Sequence, residues 1–224
     1  MIYCSTDAIQ SVIANPLIKG VSLTGSVNAG KEVAKLAGQY LKKVTLELGG
    51  SDPFIICQDA NLESVIPVAT KARFLNSGQT CISAKRFLVH QTIVEEFATG
   101  LQNAVIQLKQ GDPLDKVTTL GPLARLDLQE NIASQVTESI KQGATCVVGG
   151  KCSMSQGYFY DPTILTDVKQ GMPVIEEETF GPVAVIIPFE TDDEALYRAN
   201  NSIYGLGASV WTNDTHKKQF FIDN

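Results

Sequence analysis

The sequence predicts an α/β fold in which a mostly parallel sheet is flanked by helices. Three observations carry this. Short apolar runs rich in β-branched residues recur along the chain. Stretches with helical apolar spacing alternate with them. Turns rich in Gly, Ser, Asn and Asp separate the two. The regular alternation favours crossover connections and parallel neighbours over hairpins.

The elements follow in order. Gly20–Thr24 reads as a short buried strand, Gly25–Gly30 as a turn, and Lys31–Leu41 as a helix with Val33, Ala34, Ala37 and Leu41 on one face. A second strand over Lys43–Leu48 is closed by Gly49 and Gly50, which makes a β–turn–α–β unit. Pro53–Cys57 is the next strand. Asn61–Leu75 is a helix capped by Asp59 or Asn61, with Pro67 marking a kink or a later start. Phe87–His90 is a strand and Thr92–Leu108 an amphipathic helix. Leu126–Gln142 is a helix ended by Gly143 in the left-handed region. Strands follow at Thr145–Val148, Tyr158–Leu165 and Val183–Phe189, then a helix at Asp192–Asn200, a strand at Ala208–Trp211 and a last helix begun at His216. The first β–α–β unit starts close to residue 1 and the last helix runs to Asn224 without a cap, so both ends read as cut.

Composition narrows the function classes. The 224 residues are 44% hydrophobic and 19% charged, with a net charge of −6, enough for a sizeable core and without general attraction to phosphate backbones or anionic lipid. Neither nucleic acid nor a membrane is expected as a partner. No apolar run approaches the ~20 residues that span a bilayer, and the start lacks a secretory pattern. The five cysteines, Cys4, Cys57, Cys81, Cys146 and Cys152, are odd in number and scattered. That argues against a disulfide framework or a zinc site and for a reducing cytoplasm.

Four stretches have composition suited to chemistry. Thr24-Gly25-Ser26-Val27-Asn28-Ala29-Gly30 follows a strand and opens a helix, a place suited to an anion. Its GxxxxG spacing is not the dinucleotide fingerprint, and on these residues alone Ser26 as a plain N-cap, with Gly30 a tolerated helix glycine, is the better reading. Leu46-Glu47-Leu48-Gly49-Gly50 puts a carboxylate at the end of an apolar strand, where desolvation would suit a general base; pairing with Lys42 or Lys43 at the rim is the bland alternative. Asn76-Ser77-Gly78-Gln79-Thr80-Cys81 sets a thiol in a polar loop ahead of Lys85 and Arg86, whose charge favours a thiolate. Cys57 and Cys146 lie in apolar strands and read as small buried hydrophobes. In Glu176-Glu177-Glu178-Thr179-Phe180-Gly181-Pro182-Val183 the first two carboxylates read as a solvated face. Glu178 could accept ribose hydroxyls and Phe180 could wall a flat ring.

Taken together and in this order, Leu46–Gly50, Gly78–Cys81 and Glu178–Val183 resemble the aldehyde dehydrogenase superfamily over essentially the whole chain. Gly50-Ser51-Asp52-Pro53-Phe54 and Gly121-Pro122-Leu123-Ala124-Arg125-Leu126-Asp127-Leu128 are similar to its succinate-semialdehyde dehydrogenase branch. The resemblance implies a remnant of an NAD(P)-binding domain over 1–47 and the thiol-bearing catalytic domain over 48–224, incomplete at its end. It implies NAD- or NADP-dependent oxidation of a small-molecule aldehyde to a carboxylic acid. Cys81 would form a thiohemiacetal and then a thioester, its backbone N–H would bind the oxyanion, and Glu47 would activate the hydrolytic water. Thr24, Gly25, Ser26, Gly30, Leu48, Glu178 and Phe180 would hold the cofactor. The family's asparagine oxyanion donor and adenosine-side lysine have no counterpart here, and the parent enzyme would be a homo-oligomer. Three other readings stand beside this one: a non-catalytic or self-associating module, a cysteine esterase, and an acyl-phosphate reductase, the last opposed by the base at Glu47.

Overall fold

A computed structural model of the chain describes residues 5–153 and 156–224; Cys4 lies outside them. The chain divides into two compact units, Met1–Gly49 and Gly50–Asn224. In the first, strands β1 (Gly20–Thr24) and β2 (Lys43–Glu47) pair in parallel, with Thr24 opposite Glu47. Helix α1 (Ile9–Ala14) precedes them and α2 (Val27–Gln39) connects them. The parallel β–α–β unit is as the sequence predicts. Its helix starts four residues early, because Ser26 caps it and Gly30 lies inside it. Leu41, expected on the helix face, sits instead at φ 53° beyond the helix end. Helix α1 is too short for a readable apolar period and was not expected.

The second unit is built on a six-stranded sheet of order β5-β6-β7-β4-β3-β8. The strands are β3 (Asp52–Ile56), β4 (Ala84–His90), β5 (Thr145–Val148), β6 (Thr163–Thr166), β7 (Val183–Phe189) and β8 (Ser209–Trp211). All neighbours are parallel except β5 and β6. Because side chains alternate along a strand, the central strands feed two cores. Phe54, Ile56, Phe87, Val89, Ala184 and Ile186 face one core with α3 (Leu62–Phe74) and α4 (Val94–Val105). Ile55, Leu88, Val183, Val185 and Ile187 face the other with α5 (Leu126–Lys141), the single turn α6 (Pro173–Glu176) and α7 (Asp192–Asn200). Helix α8 (Thr215–Asp223) ends the chain. Burial on both faces is why these strands read as continuous apolar runs.

Two expectations change in detail. The strand expected over Tyr158–Leu165 is reduced to β6, since Pro162 has no N–H to give a ladder and Tyr160 makes only a lone bridge to Cys152. Helix α3 opens at Leu62 under the Asn61 cap and continues through an exposed Pro67, so the proline is not a second start. Gly143 has the positive φ, 108°, expected of a residue closing α5.

Candidate active site

In the first unit the turn after β1 is exposed and lightly hydrogen-bonded. Among the described residues Ser26 Oγ accepts only the Ala29 N–H, at 3.2 Å, so it does not satisfy the other first-turn amides of α2. Gly25 N–H donates to the Glu47 carbonyl at 3.0 Å, which ties the turn to the end of β2. Thr24, Gly25, Ser26 and Glu47 are all exposed. The semi-apolar setting expected for Glu47 is therefore not seen within this unit: a two-stranded sheet covers little of its last residue. Gly30 has a definite use. A Cβ there would stand 2.6 Å from both Cδ atoms of Leu48, so the glycine lets α2 approach the chain leaving β2.

The thiol lies in the second unit, on a loop whose shape is heavily constrained. Asn76, Ser77 and Gly78 follow one another in the left-handed region, at φ 54°, 56° and 73°. A side chain on Gly78 would also overlap the Gly181 carbonyl. Ser77 Oγ donates to the Gly121 carbonyl at 2.7 Å, and Gln79 Oε1 accepts the Ala124 N–H at 2.9 Å. Ser77 and Gln79 thus stitch the loop to Gly121–Ala124. Cys81 comes out half-buried, beside an exposed Ile82, and its N–H has no hydrogen-bond partner among the described residues.

The two cations after the thiol take different courses. Lys85 is buried, and its Nζ donates to the carbonyls of Thr80 at 3.1 Å and Cys81 at 2.9 Å. It also lies 3.6 Å from Glu178 Oε1. Burial, and then the charge of Arg73, push Lys85 down to about 8, against the pull of Glu178 and Asp52. Arg86 turns to the carbonyls of Ser51, Arg198 and Ala199. Arg73, on the last turn of α3, is fully buried, and no acid pairs with it among the described residues. It donates to the carbonyls of Thr179, Gly181 and Val183 and to Ser83 Oγ. Burial pushes its pKa down, and Glu178 opposes that.

Glu178 accepts the Gly50 N–H on Oε1 at 3.2 Å, and Oε2 has no hydrogen bond among the described residues. Its own N–H donates to the Tyr204 hydroxyl at 3.1 Å. Gly50 packs so closely that a Cβ would lie 2.7 Å from the Cys81 carbonyl oxygen. Gly50, Cys81, Lys85 and Glu178 therefore form one ring of contacts. Phe180 is half-buried, and Glu176 and Glu177 are exposed, as expected. Buried Asp52 adjoins the ring: burial raises its pKa, countered by the Gly207 N–H, Lys85 and Arg86.

The other described cysteines lie outside this ring. Cys57 is fully buried, and burial, then Asp192, push it up to about 12. Burial also raises Cys146 and Cys152. Thus Thr24–Ser26 and Glu47 come together in one unit, and Cys81 and Glu178 in the other. Sequence reading missed Arg73 and the clamping role of Lys85. The available signal was a cation set between apolar neighbours, in Ala72-Arg73-Phe74 and in Ala84-Lys85-Arg86-Phe87. The described residues include no cluster of His, Cys, Asp and Glu fit for a metal ion and no helix long and apolar enough to cross a membrane.

Comparison with known proteins places the chain in a family. Residues 3–224 match the aldehyde dehydrogenase family. The chain is similar to the succinate-semialdehyde dehydrogenase (NADP(+)) of Deinococcus radiodurans, with 45% identity over 94% of this chain and 44% of the relative. It is similar to the enzyme of that name from Mycobacterium avium, with 42% identity over 98% of this chain and 46% of the relative. The NAD+ complex of an aldehyde dehydrogenase from Bacillus cereus superposes with a TM-score of 0.93 at 37% identity, covering 96% of this chain and 44% of that one. The chain spans about half the length of the curated relatives it matches. By sequence and by fold, this chain belongs to the aldehyde dehydrogenase family.

Proposed function

We propose that this chain carries the reacting groups of an NAD(P)-dependent aldehyde dehydrogenase, with succinate semialdehyde as the substrate suggested by its relatives' names. The carrying observation is the half-buried Cys81 held on a constrained loop in one ring with Glu178. The residues fit a dinucleotide. The open N-terminus of α2 at Thr24, Gly25 and Ser26 suits a pyrophosphate, the free Oε2 of Glu178 suits ribose hydroxyls, and Phe180 suits the flat ring. Gly30 and Leu48 would shape the cradle by holding α2 against the chain after β2.

In this reading the Cys81 thiolate attacks the aldehyde carbon, and the carbonyl oxygen becomes an oxyanion on the free N–H of Cys81. Bound NAD(P) supplies the hydride acceptor. Cys81 then holds the acyl group as a thioester. Glu47 takes a proton from water, water adds to the thioester carbon, and collapse releases the acid and restores the thiolate. The proposal therefore requires Glu47 to reach the face of the thioester. The cytoplasmic setting expected from the sequence belongs to the same proposal and is supported by the free state of Cys57, Cys81, Cys146 and Cys152.

A second reading is a non-catalytic module. It is favoured by the exposure of β1 and β2, a two-stranded sheet with two open edges. Calorimetric titration with NAD and NADP, followed by succinate semialdehyde, separates the two. Binding and formation of reduced nicotinamide are expected. Cys81→Ala should abolish turnover, and Glu47→Gln should slow it by about 10²-fold or more. Heat from neither cofactor would favour the module. Iodoacetamide should label Cys81 ahead of the other cysteines; even labelling of all five would remove the nucleophile assignment.

A further inference from the structure

We infer that Lys85 is a positioning residue that orients the Thr80–Cys81 peptide, and with it the Cys81 N–H, as an oxyanion donor. This rests on the reading of Cys81 as the nucleophile. A trans peptide holds its C=O and N–H in one plane and pointing in opposite directions. A group that fixes the Thr80 carbonyl therefore also fixes the Cys81 N–H. Lys85 Nζ does this at 3.1 Å, while the Ser83 N–H takes the same oxygen at 3.3 Å. The ammonium also holds the Cys81 carbonyl at 2.9 Å, so the peptides on both sides of the Cys81 α-carbon are clamped.

The clamp has an electronic effect as well. A cation on a peptide oxygen polarises that peptide and strengthens its N–H as a donor. The Cys81 N–H makes no hydrogen bond among the described residues, which leaves it free for a substrate oxygen. Glu178 stands on the other side of the ammonium at 3.6 Å and competes for it. The charged groups acting on Lys85 are Arg73, Glu178 and Asp52. With Lys85 pushed down to about 8, the clamp weakens as pH rises through that value.

Two reagents on the full-length chain test this without any nicotinamide, so the outcome does not depend on whether the chain oxidises aldehydes. Acylation of Cys81 by p-nitrophenyl acetate passes through an oxyanion and uses the donor. Alkylation by iodoacetamide has no oxyanion and does not. General loosening of the loop, or loss of a nearby charge, alters both rates together. Lys85→Met is expected to lower the acylation-to-alkylation ratio by about tenfold or more, the scale of a lost oxyanion donor. Lys85→Gln keeps an N–H on the carbonyls and should recover part of that loss. In the unsubstituted chain the ratio should fall as pH passes about 8, and in Lys85→Met it should stay flat.

Glu178→Gln takes away a charge that helps keep Lys85 protonated, so the fall in the ratio should move to a pH below about 8, which supplies the test if neither lysine variant folds. Equal changes in the two rates, an unchanged ratio, or no acylation of the unsubstituted thiol would each overturn the inference.

Discussion

The loop carrying Cys81 and the turn after β1 both join regular elements through Gly, Ser, Thr and Asn, yet they are held in opposite ways. The thiol loop is fixed by groups far away in the chain. Arg73 donates to Thr179, Gly181 and Val183, Ser77 to Gly121, and Gln79 accepts from Ala124. The turn over Thr24–Ser26 is held mainly by short-range bonds, Ser26 to Ala29 and Gly25 to the neighbouring strand at Glu47. It remains exposed. The difference follows from the tasks proposed for the two places. A nucleophile has to be delivered in one geometry, and long-range contacts supply that rigidity. An anion cradle needs spare N–H groups, and a lightly bonded helix start supplies those.

The sharpest way to break this comparison is at Arg73. Arg73→Met takes the buried guanidinium away from the carbonyls of Thr179, Gly181 and Val183 and from Ser83 Oγ, so it should cost about 3 kcal/mol or more in the stability of the second unit. Urea titration followed by the fluorescence of Trp211 would measure it. A cost below about 1 kcal/mol would show that the loop does not depend on this strut.

A smaller loss is expected at Gly78. Gly78→Ala combines a left-handed backbone with overlap of the Gly181 carbonyl, for about 2–3 kcal/mol. Since that carbonyl also accepts from Arg73, the substitution should speed iodoacetamide labelling of Cys81 as the loop loosens. Labelling at an unchanged rate would separate the glycine from the thiol.

The same contrast explains what could be read from the sequence. Val183–Phe189 and Asp192–Asn200 stand where an apolar run and a helical pattern put them, because burial on two faces and helical spacing are local patterns. The early start of α2 was hidden by Gly30, which resembles a turn residue until Leu48 is seen packed against it. That Cys81 sits on a loop rather than in a core strand was legible from its polar neighbours. The roles of Arg73 and Lys85 were not, because their acceptors are main-chain carbonyls, which have no letter in a sequence. Glu47 was legible as an acid at a strand end, but its expected apolar surroundings were not formed by β1 and β2 themselves.

The weakest effect should come from the first unit, at Gly30. Gly30→Ala places a methyl 2.6 Å from the two Cδ atoms of Leu48. These are the ends of a flexible side chain and can swing aside, unlike the carbonyl facing Gly78. Alanine also gains about 1 kcal/mol of helix propensity over glycine in the interior of α2. The two terms oppose each other, and the net change should stay within about 1 kcal/mol. Because the two units need not unfold together, hydrogen exchange of the α2 amides is the appropriate measurement. Protection within about fivefold of the unsubstituted chain is expected, from that same margin of about 1 kcal/mol. A loss as large as that at Gly78 would mean that Leu48 has nowhere to go and that the first unit is packed as tightly as the thiol loop.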